Sequence, residues 1–332
     1  MEKKNLELVD ARGGWTPGKL EYKPLFSWPP KPIELIKWLF NYPDGFIFPW
    51  AAIHFSIALI SYIFFLPSFD KLSSLSVDWI SIIFFRNLII LFVYTSLWHW
   101  YLHIKEGQGD TYRYNLKKLG KGKQWLFGTQ TRENMFFSLF SAVPIQTLYE
   151  TLMLWCFANE YTFLPIKDFF ESPFIIAYCI LLLIFIPILQ HIHFYLIHRL
   201  IHFKPIYDRI HYFHHKNVNV GPWSGLSMHP IEHILYISTI LIHFIVPSHP
   251  IHFIYQGVHT MLGAQKGHSG YERLVVDSKT GKSIPSAGYF HYLHHKYFEC
   301  NYGELTSPLD KWFGSFHDGT KKTHDKIFKK IN

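Results

Sequence analysis

Histidine is the residue whose type and spacing could do chemistry here. The chain has 22 histidines in 332 residues, 17 of them between His191 and His295. His198-Arg-Leu-Ile-His202 places two imidazoles at i and i+4, on one face of a helix. His211-Tyr-Phe-His214-His215 repeats that pairing with a third imidazole beside it, and His291-Tyr-Leu-His294-His295 repeats it again. Between them stand His229-Pro-Ile-Glu-His233 and His268-Ser-Gly-Tyr271. A lone HxxxH arises easily by chance and more often means nothing. Two HxxHH copies with an HxxxH, all on one side of the spans described below, point to a site for two metal ions.

Imidazole suits zinc, copper, iron and nickel. Zinc hydrolases keep three protein ligands and one water, fewer than this cluster offers. Soluble di-iron bundles use Glu-x-x-His, which is missing here, and carboxylates are scarce, with Glu232 the nearest. A histidine-rich di-iron centre therefore fits best, with copper still open on coordination chemistry alone. Other histidines read more simply as buried or interfacial hydrogen-bonding groups: His54, His99, His103, His243, His249, His252 and His259 lie in or beside apolar runs. His191, His193 and His233 are intermediate, supporting the ligands or adding to them, while His317 and His324 read as solvated. Tyr195 and Trp223 are candidates to line a substrate channel.

The elements that position these groups are membrane helices. Half of the residues are hydrophobic and nearly a fifth aromatic, with mean hydropathy near zero, because apolar runs alternate with polar stretches. Four segments, about 46–67, 79–98, 135–157 and 173–190, approach the ~20 residues a spanning helix needs. Arg86 and Glu150 interrupt two of them and are expected to face a bundle interior or, for Glu150, to lie near an interface; Pro144 predicts a kink. The runs 234–247 and 250–262 are short for crossings and are read as a re-entrant hairpin.

The loop 99–133 holds Lys105, Arg113, Lys117, Lys118, Lys121, Lys123 and Arg132, whereas the opposite loops offer only Lys71 and Lys167. Four crossings with the N-terminus inside put the basic loops and the histidine clusters in the cytoplasm. The net charge of +8 is dispersed and without a nucleic-acid motif, so no nucleic-acid partner is expected. No cleavable leader is visible in Met1 to Leu20, and three cysteines without metal-site spacing give no disulfide framework. The expected fold is all-α and multi-pass. It divides into a cytoplasmic segment (1–45), transmembrane helices (46–190), a histidine-rich catalytic region (191–319) forming a cytoplasmic cap, and a basic tail (320–332).

With these motifs in order, and with Asn301-Tyr-Gly303 followed by Asp310-Lys-Trp-Phe-Gly314, the chain resembles the fatty acid hydroxylase/sterol desaturase superfamily over roughly His191 to Gly319. The resemblance implies two non-haem iron ions, O2 as co-substrate, a cytochrome b5-like or ferredoxin-like electron donor, and a membrane lipid as substrate. It also implies a setting in the endoplasmic reticulum or a bacterial inner membrane. His198, His202, His211, His214, His215, His229, His268, His291, His294 and His295 are the ligand candidates. Family members commonly carry an aspartate seven residues before the first motif histidine, and here His191 stands there. The expected reaction removes hydrogen from an unactivated C–H bond, giving an alcohol or an alkene, with sterol-like lipids the first candidates. A metal-binding transporter and a zinc-dependent hydrolase are the rival readings. A transporter would place polar groups along the spans near midplane, and here the clusters follow the spans.

Overall fold

The computed structural model describes residues 9–10, 13–27, 29 and 31–328. The first eight residues of the N-terminal segment and the last four of the basic tail lie outside them. The chain is mostly helical, at 61%. Helix α1 (Pro32–Phe40) precedes α2 (Ile47–Phe65), α3 (Val77–Ile104) and a longer helix, α4, built from Gln130–Phe137, a π-helical stretch Ser138–Ala142, and Val143–Ala158. Then come α5 (Pro173–Ile201), a π turn Tyr207–His211 leading into α6 (Tyr212–His215), α7 (Pro230–Phe244), α8 (Pro250–Gly267), α9 (Tyr289–Tyr297) and α10 (Lys321–Phe328).

Three of these helices, α2, α3 and α5, are long and apolar enough to cross a membrane. Helix α5 starts where Ser172 caps the free N–H of Ile175 and Pro173 occupies the first turn, a position that needs no N–H. Its 29 residues reach roughly 43 Å at 1.5 Å per residue, more than a ~30 Å hydrocarbon core. Phe174, Leu181, Phe185, Leu196 and Leu200 project outward from it, as do Ile82, Phe85, Ile89 and Val93 from α3. An apolar surface of that extent suits lipid and would be costly in water.

The third apolar run of the sequence, 135–157, is helical, but it carries more polar groups than the other three. Glu150 and Arg86 interrupt their runs because they pair with each other, buried between α4 and α3. Asn87 Nδ2 donates to the same carboxylate at 3.2 Å and to Thr147 Oγ1 at 3.3 Å. A π stretch, Ser138–Ala142, lies just before Val143-Pro144, where a kink was expected, and accommodates the hydrogen bond that proline cannot donate.

The runs 234–247 and 250–262 are both helical. Helix α7 ends in 3-10 geometry, and α8 packs against α2, α5, α3 and α4. His249 caps α8, with its Nδ1 accepting from Ile251 N–H, while His249 N–H donates to His252 Nδ1 at 2.9 Å. His243 bonds Ser248 Oγ and Gln256 Oε1. These three histidines serve the fold.

The all-helical expectation has one exception. Residues Arg273–Asp277 (β1) and Lys282–Pro285 (β2) form an antiparallel hairpin with an irregularity between Val275 and Asp277. Arg113 forms an isolated bridge with Tyr271, just before the hairpin, which ties the basic loop 99–133 to the segment that follows His268.

Candidate metal centre

Four separate pieces of chain deliver the core histidines. The last turns of α5 carry His198 and His202, the π turn and α6 carry His211, His214 and His215, His268 follows the end of α8, and α9 carries His291, His294 and His295. They converge as two groups, in each of which one ligand atom per residue lies within 4.8 Å of the others. The first holds His198, His202, His211, His215 and His294; the second holds His214, His268, His291 and His295. Each HxxHH segment gives its i, i+4 pair to one group and its middle histidine to the other. The groups adjoin, with the His215 and His295 ring centroids 4.9 Å apart.

The Nε2 atoms face one another. In the first group His215 lies 3.1 Å from His202 and 3.0 Å from His294, and His198 lies 3.0 Å from His211. In the second, His268 stands 3.1 Å from His295, 3.1 Å from His291 and 3.3 Å from His214.

The other ring nitrogen decides what that means. Nδ1 of His198 meets the Tyr302 carbonyl at 2.6 Å, and that of His294 meets the Cys300 carbonyl at 2.6 Å. Nδ1 of His214 meets the Ser227 carbonyl, and that of His268 the Ala264 carbonyl at 2.8 Å. A carbonyl only accepts, so in a neutral ring the proton sits on Nδ1 and the lone pair on Nε2. His214 and His268 thus point two lone pairs at each other with no proton between them.

Protonation would relieve that repulsion, but burial opposes it. Desolvation pushes His214 down to about 3 and His268 to about 4. It also holds His211, His215, His291, His294 and His295 well below the ordinary histidine range, with the neighbouring histidines adding to the effect. Neutral imidazole is the form that binds metal, so the donor set fits divalent cations of the iron, zinc and copper kind.

The supporting groups explain the other motifs. Asp310 accepts from the Tyr302 and Gly303 N–H groups, both at 2.8 Å, and from Ser315 Oγ at 2.7 Å. Asn301, in the left-handed region at φ +53°, donates from Nδ2 to the Phe290 and His317 carbonyls. Together they fix the loop whose carbonyls aim His198 and His294. The His229-Pro230 pair starts α7, which carries Glu232, and Glu232 Oε1 lies 2.8 Å from His211 Nδ1. This carboxylate stands against a core histidine, the kind of support that the replacement of aspartate by His191 had put in question.

Several expected site residues lie elsewhere. His229 stands outside both groups and caps α7, its Nδ1 accepting from Ile231 N–H at 3.2 Å. His193 bonds Ser238 Oγ, and His233 bonds the Leu226 carbonyl and Ser141 Oγ, so neither touches the core rings. Tyr195 receives a hydrogen bond from Arg199 and stacks on Phe313, and Trp223 packs on Phe92. Neither Tyr195 nor Trp223 lines the cavity that reaches the core. That cavity, about 280 Å3, touches His198, His211, His214, His268 and His291 and runs past Phe194 and Tyr236 to His191. Glu232, Asn301 and Asp310 were not singled out as site residues in the sequence, although the last two stood inside a recognised motif.

Residues 180–315 match the fatty acid hydroxylase family. Over this stretch the chain is similar to the fatty acid hydroxylase/sterol desaturase superfamily. Among similar proteins, a Delta(7)-sterol 5(6)-desaturase of Gibberella zeae is 31% identical over 124 residues, 36% of this chain and 37% of that protein. A Delta(7)-sterol-C5(6)-desaturase of Nicotiana tabacum is 30% identical over 129 residues, 37% of this chain and 45% of that protein. A Delta(7)-sterol 5(6)-desaturase of Saccharomyces cerevisiae is 27% identical over 135 residues, 40% of this chain and 34% of that protein. The chain thus spans between a third and a half of the length of these relatives. No solved structure matches.

Proposed function

We propose that this protein is a multi-pass membrane oxidoreductase that hydroxylates or desaturates a lipid with two iron ions and O2. In this reading His198, His202, His211, His215 and His294 hold one ion, and His214, His268, His291 and His295 the other. The observation that carries it is the pair of opposed Nε2 lone pairs on His214 and His268, 3.3 Å apart in a buried site. Bound iron would supply the power to activate O2 and break an unactivated C–H bond, chemistry that no side chain here can perform alone.

The chain's own part is positional. The carbonyls of Tyr302, Cys300, Ser227 and Ala264 fix ring orientation, and the Phe194 ring stacks 4.7 Å from His198 on the cavity side, keeping that approach apolar. A sterol-like lipid is the first candidate substrate, since the similar proteins bear sterol desaturase names; other membrane lipids are the alternatives. The electron donor would be cytochrome b5-like or ferredoxin-like, docking on the face that carries the histidines.

For topology we read α4 as a fourth crossing, its charge neutralised by the Arg86–Glu150 pair, with α7 and α8 as the re-entrant hairpin. The basic loop 99–133 and the histidine cap then share the cytoplasmic face of an endoplasmic-reticulum or inner membrane. The catalytic region is 191–319, following the membrane helices of 46–190.

The test is metal analysis of the purified chain beside lipid profiling of cells with and without it. Two irons per chain and an O2-dependent change in one lipid class support the reading. Full turnover without O2 would replace it with a hydrolytic one.

A further inference from the structure

Away from the metal centre, the cavity has a second polar region. His54 from α2, His191 from α5 and His259 from α8 line it, beside Gln190. His54 is fully buried, with Nδ1 3.1 Å from His259 Nδ1 and Nε2 3.3 Å from the Tyr94 hydroxyl. The His191 and His259 rings lie 6.3 Å apart, and His191 Nδ1 is hydrogen-bonded to the Thr306 hydroxyl. Among the described residues nothing bonds Nε2 of His191 or Nε2 of His259. Both rings are half-buried and line the cavity, so a ligand or water there can take up these nitrogens.

These rings do not repeat the core. Their nitrogens do not converge as a third metal group among the described residues. The Nδ1–Nδ1 contact between His54 and His259 holds one proton, so the accepting ring carries its single proton on Nε2 and the donating ring has a lone pair there. With His191 added, the trio can both donate and accept. That suits an uncharged hydroxyl. A carboxylate would want a spare cation, and the nearby Lys266 donates to the Ser286 carbonyl and feels Glu304 and Glu272.

Helix α5 supplies a ruler. His191, Phe194 and His198 all line the cavity, and His191 precedes His198 by seven residues, two turns on the same face. Seven residues rise about 10 Å. Between them the helix turns Phe194 and Ile197 to the cavity, with Phe194 edge-on to Tyr236 at 5.8 Å.

We propose that His54, His191 and His259 form a hydroxyl-recognition site, which holds an extended lipid with its polar end about 10 Å from the carbon presented to the core. This rests on the core being the reacting centre. It favours an alcohol-bearing chain, or a sterol attacked far from its hydroxyl, over a lipid oxidised within a bond or two of the polar group.

The test uses binding, so that it does not depend on turnover. The purified full chain is titrated with hexadecan-1-ol and with hexadecane, and metal content is measured in parallel. The alcohol should bind about tenfold tighter or better, the worth of one or two well-made hydrogen bonds. H259F and H191L should abolish that preference while keeping the wild-type metal content. No preference in the wild type, or an unchanged preference in both variants, overturns the proposal. Should the variants misfold, hexadecan-1-ol carrying a diazirine beside the hydroxyl is photolysed on the wild-type protein. Crosslinks in 47–65, 187–194 or 255–263 support the site, and crosslinks confined to α9 or the outer surface overturn it. Absence of iron or turnover would fail the reading of the core and leave these binding results legible.

Discussion

His198 Nδ1 donates to the carbonyl of Tyr302 at 2.6 Å, joining the end of α5 to a loop 104 residues later. That loop is held in turn by Asp310, which collects the Tyr302 and Gly303 amides and the Ser315 hydroxyl. The Asn-Tyr-Gly and Asp motifs therefore act on the histidine core without touching it.

Asp310→Ala should loosen this loop and lower metal affinity by roughly 10- to 100-fold, the usual effect of losing a group that orients a ligand. Competition for metal against a chelator of known affinity checks this. An unchanged affinity would mean that the loop holds its shape without the carboxylate.

Removing one core ligand should unload metal. His294→Ala takes a ring from the first group and releases the Cys300 carbonyl, so metal content should fall from about two per chain toward one or fewer, with activity falling in step. Elemental analysis reads this directly. Zinc in place of iron after overexpression is compatible with the site, because zinc competes well for imidazole.

Metal should also stabilise the fold. Filling a site that opposes lone pairs in the empty state removes repulsion, and binding to the native state alone adds RT ln(1 + [L]/Kd), about 2.7 kcal/mol at 100 times Kd. Titrating chelator-treated protein with Fe2+ or Zn2+ should raise its Tm, and His214→Ala should blunt the rise. A flat Tm in the wild type would argue that the nitrogens are not metal ligands.

The Arg86–Glu150 pair is buried on both sides, so removing one partner strands a charge. Glu150→Leu alone should cost on the order of 3–5 kcal/mol, while Arg86→Met with Glu150→Leu should recover much of it. Thermal unfolding in one detergent, compared across the double-mutant cycle, measures the coupling. Additive losses would show that the two side chains do not depend on each other.

The helical elements and the core histidines were legible because both rest on local rules. Apolar length marks α2, α3 and α5, and i, i+4 spacing puts His198 with His202, and His291 with His295, on common faces. The allocation of His214 and His294 to the opposite groups was not legible, because it depends on how α6 and α9 meet across the core. Glu232 was noticed only as a nearby carboxylate: its contact with His211 spans 21 residues and exists only once α7 has docked. His229 stands apart from both groups because His-Pro is equally a way to start a helix, with the ring as cap and proline in the first turn. The hairpin β1–β2 had a readable signal, the β-favouring run Leu274-Val-Val276 followed by the turn-forming Asp277-Ser-Lys-Thr-Gly281.

The dependence of His198 on Tyr302, and of that loop on Asp310, also sets a timetable for biosynthesis. The membrane helices emerge from the ribosome well before Asp310, at roughly 5–20 residues per second. Through that interval the His198 and His202 rings have no counterpart from α9, and the first metal group lacks His294. Metal delivery that ran ahead of translation would find only part of a coordination shell, open to water and to the wrong ion. If the core takes metal, loading comes late in the life of the nascent chain, and a ribosome stalled before residue 300 would leave the apolar helices without the loop that aims His198.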